Sequence, residues 1–203
     1  ISVLNCDGYG KAAKKHGILF MVDNTLASPI HCKPIRLGAD IVLHSSTKYI
    51  DGHATSLGGL IVDSGNFDFK GNERYADFNT PDQSYHGLVY SKDCGELAFI
   101  VKARVQIMRD IGACMSPFNA FLTNLGCETL HLRMERTSYN ALEIARTLSG
   151  HQKIEFVKYP LLSGDANYGK AKKYLTGGAG GMLSFGVRDG KEKALDFIKN
   201  LKL

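Results

Sequence analysis

Short, continuous apolar runs alternate with longer stretches of helical period along this chain, and this pattern predicts a mixed α/β fold. Three apolar runs have the length of strands, namely ILFMV (18–22), ADIVLH (39–44) and SLGGLIVD (56–63). Continuous apolar runs are typical of strands that are covered on both faces. The runs follow one another at crossover spacing. We therefore expect an α/β fold with a mainly parallel sheet that lies between layers of helices.

Local signals predict where the helices begin and end. Ser116 is the expected N-cap of the segment SPFNAFLTNLG, with Pro117 at the first helical position and Gly126 just beyond the last one. Glycines also mark the expected ends of three further helices, in DGYGKAAKKHG (7–17), GELAFIVKARVQIMRDIG (95–112) and ETLHLRMERTSYNALEIARTLSG (128–150).

The character of the sequence changes in its last third, which predicts a second, smaller domain. The segments KIEFVKYP, YGKAKKYL, GMLSFGV and KEKALDFIKN alternate between strand and helix patterns, as at the start of an α+β unit. We place the boundary so that residues 1–128 belong to a larger domain and residues 129–203 to a partial C-terminal domain. The polar stretch 64–93 is predicted to be a long loop, and loops of that length are usually functional or lie at an interface.

Composition narrows the class of protein. The chain has 203 residues, 44% apolar and 22% charged, with a formal net charge of +5, which is typical of a globular protein. Its basic residues are spread out rather than gathered beside aromatic residues, so nucleic-acid binding is not favoured. No apolar stretch reaches the roughly 20 residues of a membrane helix. The five cysteines, an odd number without a CxxC pair, indicate free thiols and a cytoplasmic location.

Reactive side chains follow two of the predicted strands. Asp23 ends the first strand, and Ser45, Ser46, Thr47 and Lys48 end the second. Because ligand sites in open α/β sheets form at the carboxyl ends of strands, an acid and an amine are expected to face one cleft. A lysine amine shielded from water is a potential nucleophile, and serine and threonine hydroxyls can donate to phosphate oxygens.

This set of groups is the one that pyridoxal 5′-phosphate requires. That cofactor needs a lysine for covalent attachment, donors for its phosphate and an acid that keeps its ring nitrogen protonated. Taken singly, neither half of this set is specific, because short Ser/Thr/Lys patterns are common and an aspartate after a strand often only forms a turn. The combination at two strand ends is what favours a cofactor site.

The segments VDNT (22–25) and GADIVLHSSTKYIDGHATSLGG (38–59) resemble the signature region of the Cys/Met-metabolism PLP-dependent enzymes, and the match runs without a gap from Val22 to Gly59. The resemblance implies the fold of the PLP-dependent transferases of the aspartate aminotransferase type. It also implies Lys48 as the catalytic, cofactor-bearing lysine and Asp23 as the partner of the ring nitrogen. The remaining implied cofactor contacts are Thr25 near the ring and Ser45 and Thr47 at the phosphate. Asp51 stands where the sulfhydrylases of this family often have glycine.

Further segments, among them SYHGLVY (84–90), FIVKARVQIMRDIGACMSPFNAFLTNLGCETLHLRMER (99–136) and GGMLSFGV (180–187), resemble the O-acetylhomoserine sulfhydrylase branch. This implies γ-replacement on O-acetyl-L-homoserine by sulfide or methanethiol, in a cytoplasmic homotetramer that takes a small amino-acid substrate. It also implies that the phosphate loop, the ring-stacking tyrosine and the arginine for the substrate carboxylate lie outside this chain. Since the sequence opens at Ile1 and not at methionine, we expect a fragment whose site is incomplete.

Several alternatives remain open from the sequence. Within the family, they are cystathionine γ-synthase or methionine γ-lyase activity; outside catalysis, the alternative is a remnant that only binds partner subunits. A metal site would draw on His31, Cys32, His44 and His53, although no tight ligand spacing appears and we expect none. GYGKAAKK (8–15) has the wrong glycine spacing for a phosphate-binding P-loop. Three cysteines, Cys94, Cys114 and Cys127, lie in helical patterns and are expected to be buried as small apolar side chains rather than to act as nucleophiles.

Overall fold

The computed structural model describes residues 2–202; Ile1 and Leu203, the outermost residues of the two predicted domains, lie outside that range. The described residues form two compact units. The first unit contains residues 6–25 and 33–127, and the second contains residues 2–5, 26–32 and 128–202. The segment 26–32 therefore belongs to the second unit, although it lies between two segments of the first unit in sequence. The domain boundary between residues 128 and 129 stays a prediction.

A three-stranded sheet forms the centre of the first unit. Its strands are β1 (Met21–Asp23), β2 (Ile41–Ser45) and β3 (Gly59–Asp63), in the order β1-β2-β3. β1 and β2 are parallel, with Asp23 opposite Leu43. β2 and β3 are antiparallel, with Ser45 opposite Gly59. The α/β class with a parallel strand pair is therefore confirmed, and β2 lies in the middle of the sheet.

The sequence was wrong about the direction and burial of β3, and about the burial of β1. Only β2 is buried as expected, with Ile41 fully inaccessible to solvent. Met21 of β1 is 43% exposed and Ile61 of β3 is 51% exposed, because both outer strands have a neighbour on one side only within the described residues. A continuous apolar run does not encode strand direction. The turns and bends that follow β2 reverse the chain, so β3 returns antiparallel.

The helices occur throughout the described chain. They are α1 (Cys6–Lys15), α2 (Ser28–His31), α3 (Ala76–Asn79), α4 (Tyr90–Asp93), α5 (Ala98–Lys102), α6 (Arg109–Ile111), α7 (Pro117–Glu128), α8 (Leu130–Ser149), α9 (Tyr168–Tyr174) and α10 (Gly190–Lys199). Short 3-10 helices lie at Pro34–Leu37, Glu73–Tyr75, Gln83–Tyr85 and Gly95–Leu97. A π-helical segment, Ala103–Met108, joins α5 to α6.

Several predicted helix ends are confirmed, and two predictions need correction. The Ser116 hydroxyl accepts a hydrogen bond from the Asn119 N–H at 3.2 Å, as an N-cap should. The amphipathic segment 95–112 is not one regular helix, since it passes through 3-10, α and π geometry. Gly126 does not follow α7 but lies inside it. A residue without a side chain is needed here, because the backbone of Ile50 and Asp51 lies close to Gly126. Sequence periodicity does not reveal this contact.

The stretch 64–93 is not the open loop predicted from its polarity. It contains short helices and packs an aromatic cluster around buried Phe69 and Tyr90. The rings of Phe69 and Phe78 stack at 4.0 Å. The Tyr90 hydroxyl donates to Asp82 at 2.5 Å, and burial, together with this carboxylate, raises the pKa of Tyr90 to about 12. Closely spaced aromatic residues therefore build a small core here.

In the second unit, α8 packs on an antiparallel pair formed by β4 (Ile154–Lys158) and β5 (Ser184–Val187). Its core contains Ala141 and Ala145 of α8 and the fully buried Tyr159. The Tyr159 hydroxyl lies 3.2 Å from the Ser138 carbonyl and 2.9 Å from the Gly180 carbonyl, to which it donates. The strand and helix patterns predicted for this part of the sequence are thus confirmed.

Candidate functional site

The carboxyl ends of β1 and β2 lie side by side, because the two strands are parallel neighbours. Backbone and side-chain hydrogen bonds hold these ends together beyond the last ladder pair. The Asn24 N–H donates to the Leu43 carbonyl at 2.9 Å. The Ser45 N–H donates to the Thr25 hydroxyl oxygen at 2.7 Å. Of the predicted site residues, Asp23, Thr25 and Ser45 are therefore brought to one edge of the sheet.

The Asp23 carboxylate is stabilised in its ionised form. The hydroxyl and the backbone N–H of Thr25 hydrogen-bond to it, the N–H at 2.9 Å, and lower the pKa of Asp23. Partial desolvation of the Asp23 carboxylate opposes this shift, whereas the nearby His44 adds a smaller favourable effect. His44 itself is buried, and burial lowers its pKa. Asp23 is exposed, so a negative charge is available at the edge of the sheet at neutral pH.

Thr25 connects the acid on β1 to the first hydroxyl residue on β2. Substituting Thr25→Val removes its hydroxyl, so the pKa of Asp23 should rise toward that of an ordinary aspartate. The depressed pKa contributes stability above the unfolded-state pKa, and that contribution is lost as the pH falls through the folded-state pKa. The difference in stability between parent and Thr25→Val should therefore shrink on acidification.

Titration of the Asp23 carboxyl carbon by NMR measures this shift, and Thr25→Ser is the matched control because it keeps the hydroxyl. An unchanged Asp23 pKa in Thr25→Val would show that the hydroxyl does not control the acid.

Lys48 lies in the turn that follows β2, which we call the lysine turn (residues 46–50). Backbone hydrogen bonds close this turn on both sides: the Lys48 N–H donates to the Ser45 carbonyl at 3.3 Å, and the Gly52 N–H donates to the Lys48 carbonyl at 2.8 Å. Lys48 is exposed. Its amine has no hydrogen-bond or ion-pair partner among residues 2–202. A free amine on an ordered backbone is thus present at the carboxyl end of β2.

The hydroxyls before Lys48 have different surroundings. Ser45 is half-buried. The Thr47 hydroxyl accepts from the Gly58 N–H at 3.2 Å and lies 3.4 Å from the Gly58 carbonyl, so it also joins the lysine turn to the start of β3. The Ser46 hydroxyl is fully buried and has no partner within the described part of the chain. The phosphate roles of Ser45 and Thr47 stay predictions.

Two residues beside this site were missed by sequence reasoning. Asp51 is fully buried and hydrogen-bonded, although it resembled a minor replacement of glycine. The sequence feature that could have revealed this role is the spacing of Asp51, His53 and Thr55. It allows the carboxylate to accept hydrogen bonds from the two later residues. Gly126 of α7 lies against the backbone of Ile50 and Asp51. No local sequence signal reports that contact.

The residues of the alternative sites have other surroundings. Both ring nitrogens of His31 lie within hydrogen-bond distance of partners, Nδ1 at 2.8 Å from the Thr176 carbonyl and Nε2 at 2.7 Å from the Ser138 hydroxyl. Across residues 2–202, no group of three or more His, Cys, Asp or Glu residues is arranged to hold a metal ion. The predicted burial of the three helical cysteines was wrong for two of them, since Cys114 and Cys127 are exposed and only Cys94 is partly buried. Cys114 lies in the connection between α6 and α7, and Cys127 lies next to the end of α7, where a helical pattern does not guarantee burial.

None of the helices within residues 2–202 has the length and apolarity needed to cross a bilayer.

The sequence pattern of one protein family, described as Cys/Met metabolism PLP-dependent enzyme, matches residues 1–203. The chain belongs to this family. It is 47% identical over 212 aligned residues to the O-acetyl-L-homoserine sulfhydrylase of Leptospira meyeri, covering 100% of this chain and 48% of the relative. It is 49% identical over 179 residues to the homocysteine/cysteine synthase of Saccharomyces cerevisiae, covering 87% of this chain and 40% of the relative. The chain therefore spans about half the length of the curated relatives it matches.

The fold agrees with this family assignment. A crystal structure of a putative O-acetylhomoserine (thiol)-lyase from Campylobacter jejuni, which carries a pyridoxyl-lysine phosphate group, matches with a TM-score of 0.88 at 38% identity. The match covers 93% of this chain and 46% of that protein. The predicted PLP-transferase class and the predicted family are thus confirmed.

The residues at the strand ends fit the cofactor of this family. Asp23 is held ionised, as a partner of a protonated ring nitrogen must be. Lys48 has a free amine for covalent attachment, and Ser45 lies at the end of the strand that leads into the lysine turn. The first unit thus contains the acid, amine and hydroxyl groups that pyridoxal phosphate requires.

Proposed function

We propose that this chain contributes the lysine-bearing part of a PLP-dependent enzyme that performs γ-replacement on O-acetyl-L-homoserine. The observation that carries the proposal is the free amine of Lys48 at the end of β2, beside a strand that ends in the ionised Asp23. The relatives named O-acetyl-L-homoserine sulfhydrylase and homocysteine/cysteine synthase support the choice of substrate.

Each proposed residue has one task. Lys48 would bind the cofactor covalently and, once displaced by the substrate amine, act as the base that takes the proton from Cα of the substrate. Asp23 would accept a hydrogen bond from the protonated ring nitrogen, and Thr25 would hold Asp23 in place. Ser45 and Thr47 would donate to the phosphate. Pyridoxal phosphate, when bound, supplies an electron sink for the charge that develops at Cα.

The overall reaction exchanges one group at Cγ. The bond from Cγ to the acetate oxygen breaks, and a bond from Cγ to the sulfur of sulfide or methanethiol forms. The products are acetate and either homocysteine or methionine. Lys48 is the only lysine on the lysine turn, so it is the residue that we expect to move protons on the substrate.

The site assignment is tested by mapping the cofactor. The chain is mixed with pyridoxal phosphate, reduced with borohydride and digested, and the modified peptides are identified by mass spectrometry. We expect one dominant adduct at Lys48, because a positioned amine near an acid binds the cofactor better than a lone surface amine. Equal modification of exposed lysines such as Lys33 and Lys70 would contradict the assignment.

The reaction class is tested with the same material. Acetate released from O-acetyl-L-homoserine in the presence of sulfide is followed by NMR. Release that requires both sulfide and pyridoxal phosphate supports γ-replacement. Acetate release that proceeds equally well without sulfide would contradict γ-replacement while leaving the cofactor site in place. The homotetramer and the cytoplasmic location stay predictions.

A further inference from the structure

Asp51 carries a carboxylate that is completely shielded from solvent yet fully hydrogen-bonded. Its Oδ1 accepts from the Thr55 hydroxyl at 2.6 Å. Its Oδ2 accepts from the Thr55 N–H at 3.0 Å and from the His53 N–H at 3.3 Å. Burying a charge without such partners is costly. These bonds, led by the Thr55 hydroxyl, lower the pKa of Asp51, so the side chain stays ionised and acts only as an acceptor.

The backbone of the same residue closes the lysine turn. The Asp51 N–H donates to the Ser46 carbonyl at 2.9 Å. The Asp51 carbonyl lies 2.5 Å from Nδ1 of the His53 ring. The side chain and the carbonyl of Asp51 are therefore bonded to the segment after it, and its N–H is bonded to the segment before it. In sequence, Lys48 lies between Ser46 and Asp51, the two residues that this backbone hydrogen bond joins.

α7 packs against both ends of the segment 50–56. An added Cβ at Gly126 would lie 2.6 Å from the Ile50 carbonyl oxygen and closer still to the Asp51 carbonyl oxygen. Thr123, one turn earlier on α7, has its hydroxyl 3.3 Å from that of Ser56. The loop 51–56 is thus held at its beginning by Gly126 packing and at its end by Thr123, and the Asp51 carboxylate ties the two ends together.

We propose that Asp51 is a positioning residue, whose carboxylate fixes the loop 51–55 and thereby holds the lysine turn so that the Lys48 amine stays at the carboxyl end of β2. This inference rests on the proposed function of Lys48. Asp51 itself touches neither substrate nor cofactor in this role. Glycine at the same position would leave the Thr55 and His53 donors without these acceptors, and asparagine would replace one acceptor oxygen by a donor.

The first test measures local order and needs no cofactor. Hydrogen exchange is compared between the parent chain and Asp51→Asn, corrected for intrinsic rates. The amides of residues 51 and 52 close the lysine turn by donating to the Ser46 and Lys48 carbonyls. We expect their exchange to accelerate about tenfold, because the loop loses the hydrogen bonds that the His53 and Thr55 N–H groups donate to the carboxylate; tenfold corresponds to about 1.4 kcal/mol. Amides of β2 and α7 should change by less than about twofold.

Matched variants separate the carboxylate from a general change of charge. Asp68→Asn makes the same substitution in the same unit, at an exposed aspartate that accepts from the Lys70 N–H at 2.9 Å, and should behave like the parent. Thr55→Val removes one donor to Asp51 and should give part of the Asp51→Asn effect. Thr55→Ser keeps the hydroxyl and should restore slow exchange.

The second test asks whether order in the turn matters to Lys48. Borohydride-trapped pyridoxal phosphate is quantified at Lys48 relative to Lys70 in each variant. We expect this ratio to fall about tenfold in Asp51→Asn and to remain at the parental value in Asp68→Asn and Thr55→Ser. A general loss of stability would instead accelerate amide exchange in β2 and α7. The Lys48 to Lys70 ratio would then not return to the parental value in Thr55→Ser.

The outcomes keep the two proposals apart. Unchanged exchange at residues 51 and 52, or equal acceleration in β2 and α7, would overturn the positioning role. Local acceleration with an unchanged Lys48 ratio would also overturn it, because the carboxylate would then order the loop without affecting the amine. Absence of any selective trapping at Lys48 in the parent would refute the proposed function instead, and the exchange data would still decide whether Asp51 orders the turn.

Discussion

Replacing Lys48 with alanine is expected to abolish selective attachment of pyridoxal phosphate to this chain. The amine lies on a turn whose backbone is closed by three hydrogen bonds, from Lys48, Asp51 and Gly52, and it has no competing partner within the described residues. Misplacing a reacting group by only about 1 Å can already cost roughly 100-fold. The yield of trapped cofactor should therefore fall by roughly that factor in Lys48→Ala, to the level of an ordinary surface lysine. Visible absorption before reduction and mass mapping after it both measure this loss.

The matched control is Lys70→Ala, which removes an exposed lysine of the same unit. It should retain the parental spectrum. If Lys48→Ala kept the absorption band at parental strength, the cofactor would be reacting with other amines. In that case Lys48 would not be the residue that binds the cofactor.

Replacing Gly126 with alanine is expected to destabilise the first unit strongly, although the substitution adds only one methyl group. The new Cβ would meet two backbone carbonyl oxygens, that of Ile50 at 2.6 Å and that of Asp51 at a still shorter distance, and backbone atoms cannot move aside as a flexible side chain can. Overpacking typically costs about 1–3 kcal/mol and sometimes more. We expect the free energy of unfolding to fall by about 3 kcal/mol, measured by urea denaturation with circular dichroism. The substitution would displace the segment 50–51 at the end of the lysine turn. The yield of pyridoxal phosphate trapped by borohydride at Lys48 should therefore also fall.

Gly10→Ala provides the control for this substitution. Gly10 also lies within a helix of the first unit, α1, but its added Cβ would only reach ordinary contact distance, 3.5 Å from the Gly38 carbonyl oxygen. Alanine in a helix interior is favoured over glycine by about 0.5–1 kcal/mol, so Gly10→Ala should be neutral or stabilising. Equal behaviour of the two variants would mean that α7 can shift away from the lysine turn at little cost.

The parts of the fold that the sequence predicted correctly are those governed by local chemistry. Ser116 caps α7 because its hydroxyl reaches a nearby N–H, and the helix before Gly150 ends at Ser149. Such signals need only a few consecutive residues. The family-specific run from Val22 to Gly59 likewise contains every residue of the proposed site, so the candidate acid and amine could be found without coordinates.

The errors concern features that depend on distant contacts. A glycine inside α7 looks like a glycine after a helix until Ile50 and Asp51 are seen behind it. The apolar run of β3 has the same composition whether it pairs parallel or antiparallel. The role of Asp51 depends on its burial, which no single-sequence pattern reports. The residues at the strand ends could be predicted from sequence. The contacts of Asp51 and Gly126 that hold the lysine turn could not.

The pairing of β2 with β3 constrains how this region can change in evolution. Ser45 lies opposite Gly59, and the Thr47 hydroxyl is bonded to the Gly58 backbone, so both ends of the 46–58 connection are fixed by the sheet. Between them, the Asp51 carboxylate and α7 fix the middle. Side chains facing the solvent here can be exchanged individually. An inserted or deleted residue, however, would shift either the register of β3 or the place of Lys48, so this segment should diverge by substitution and not by length.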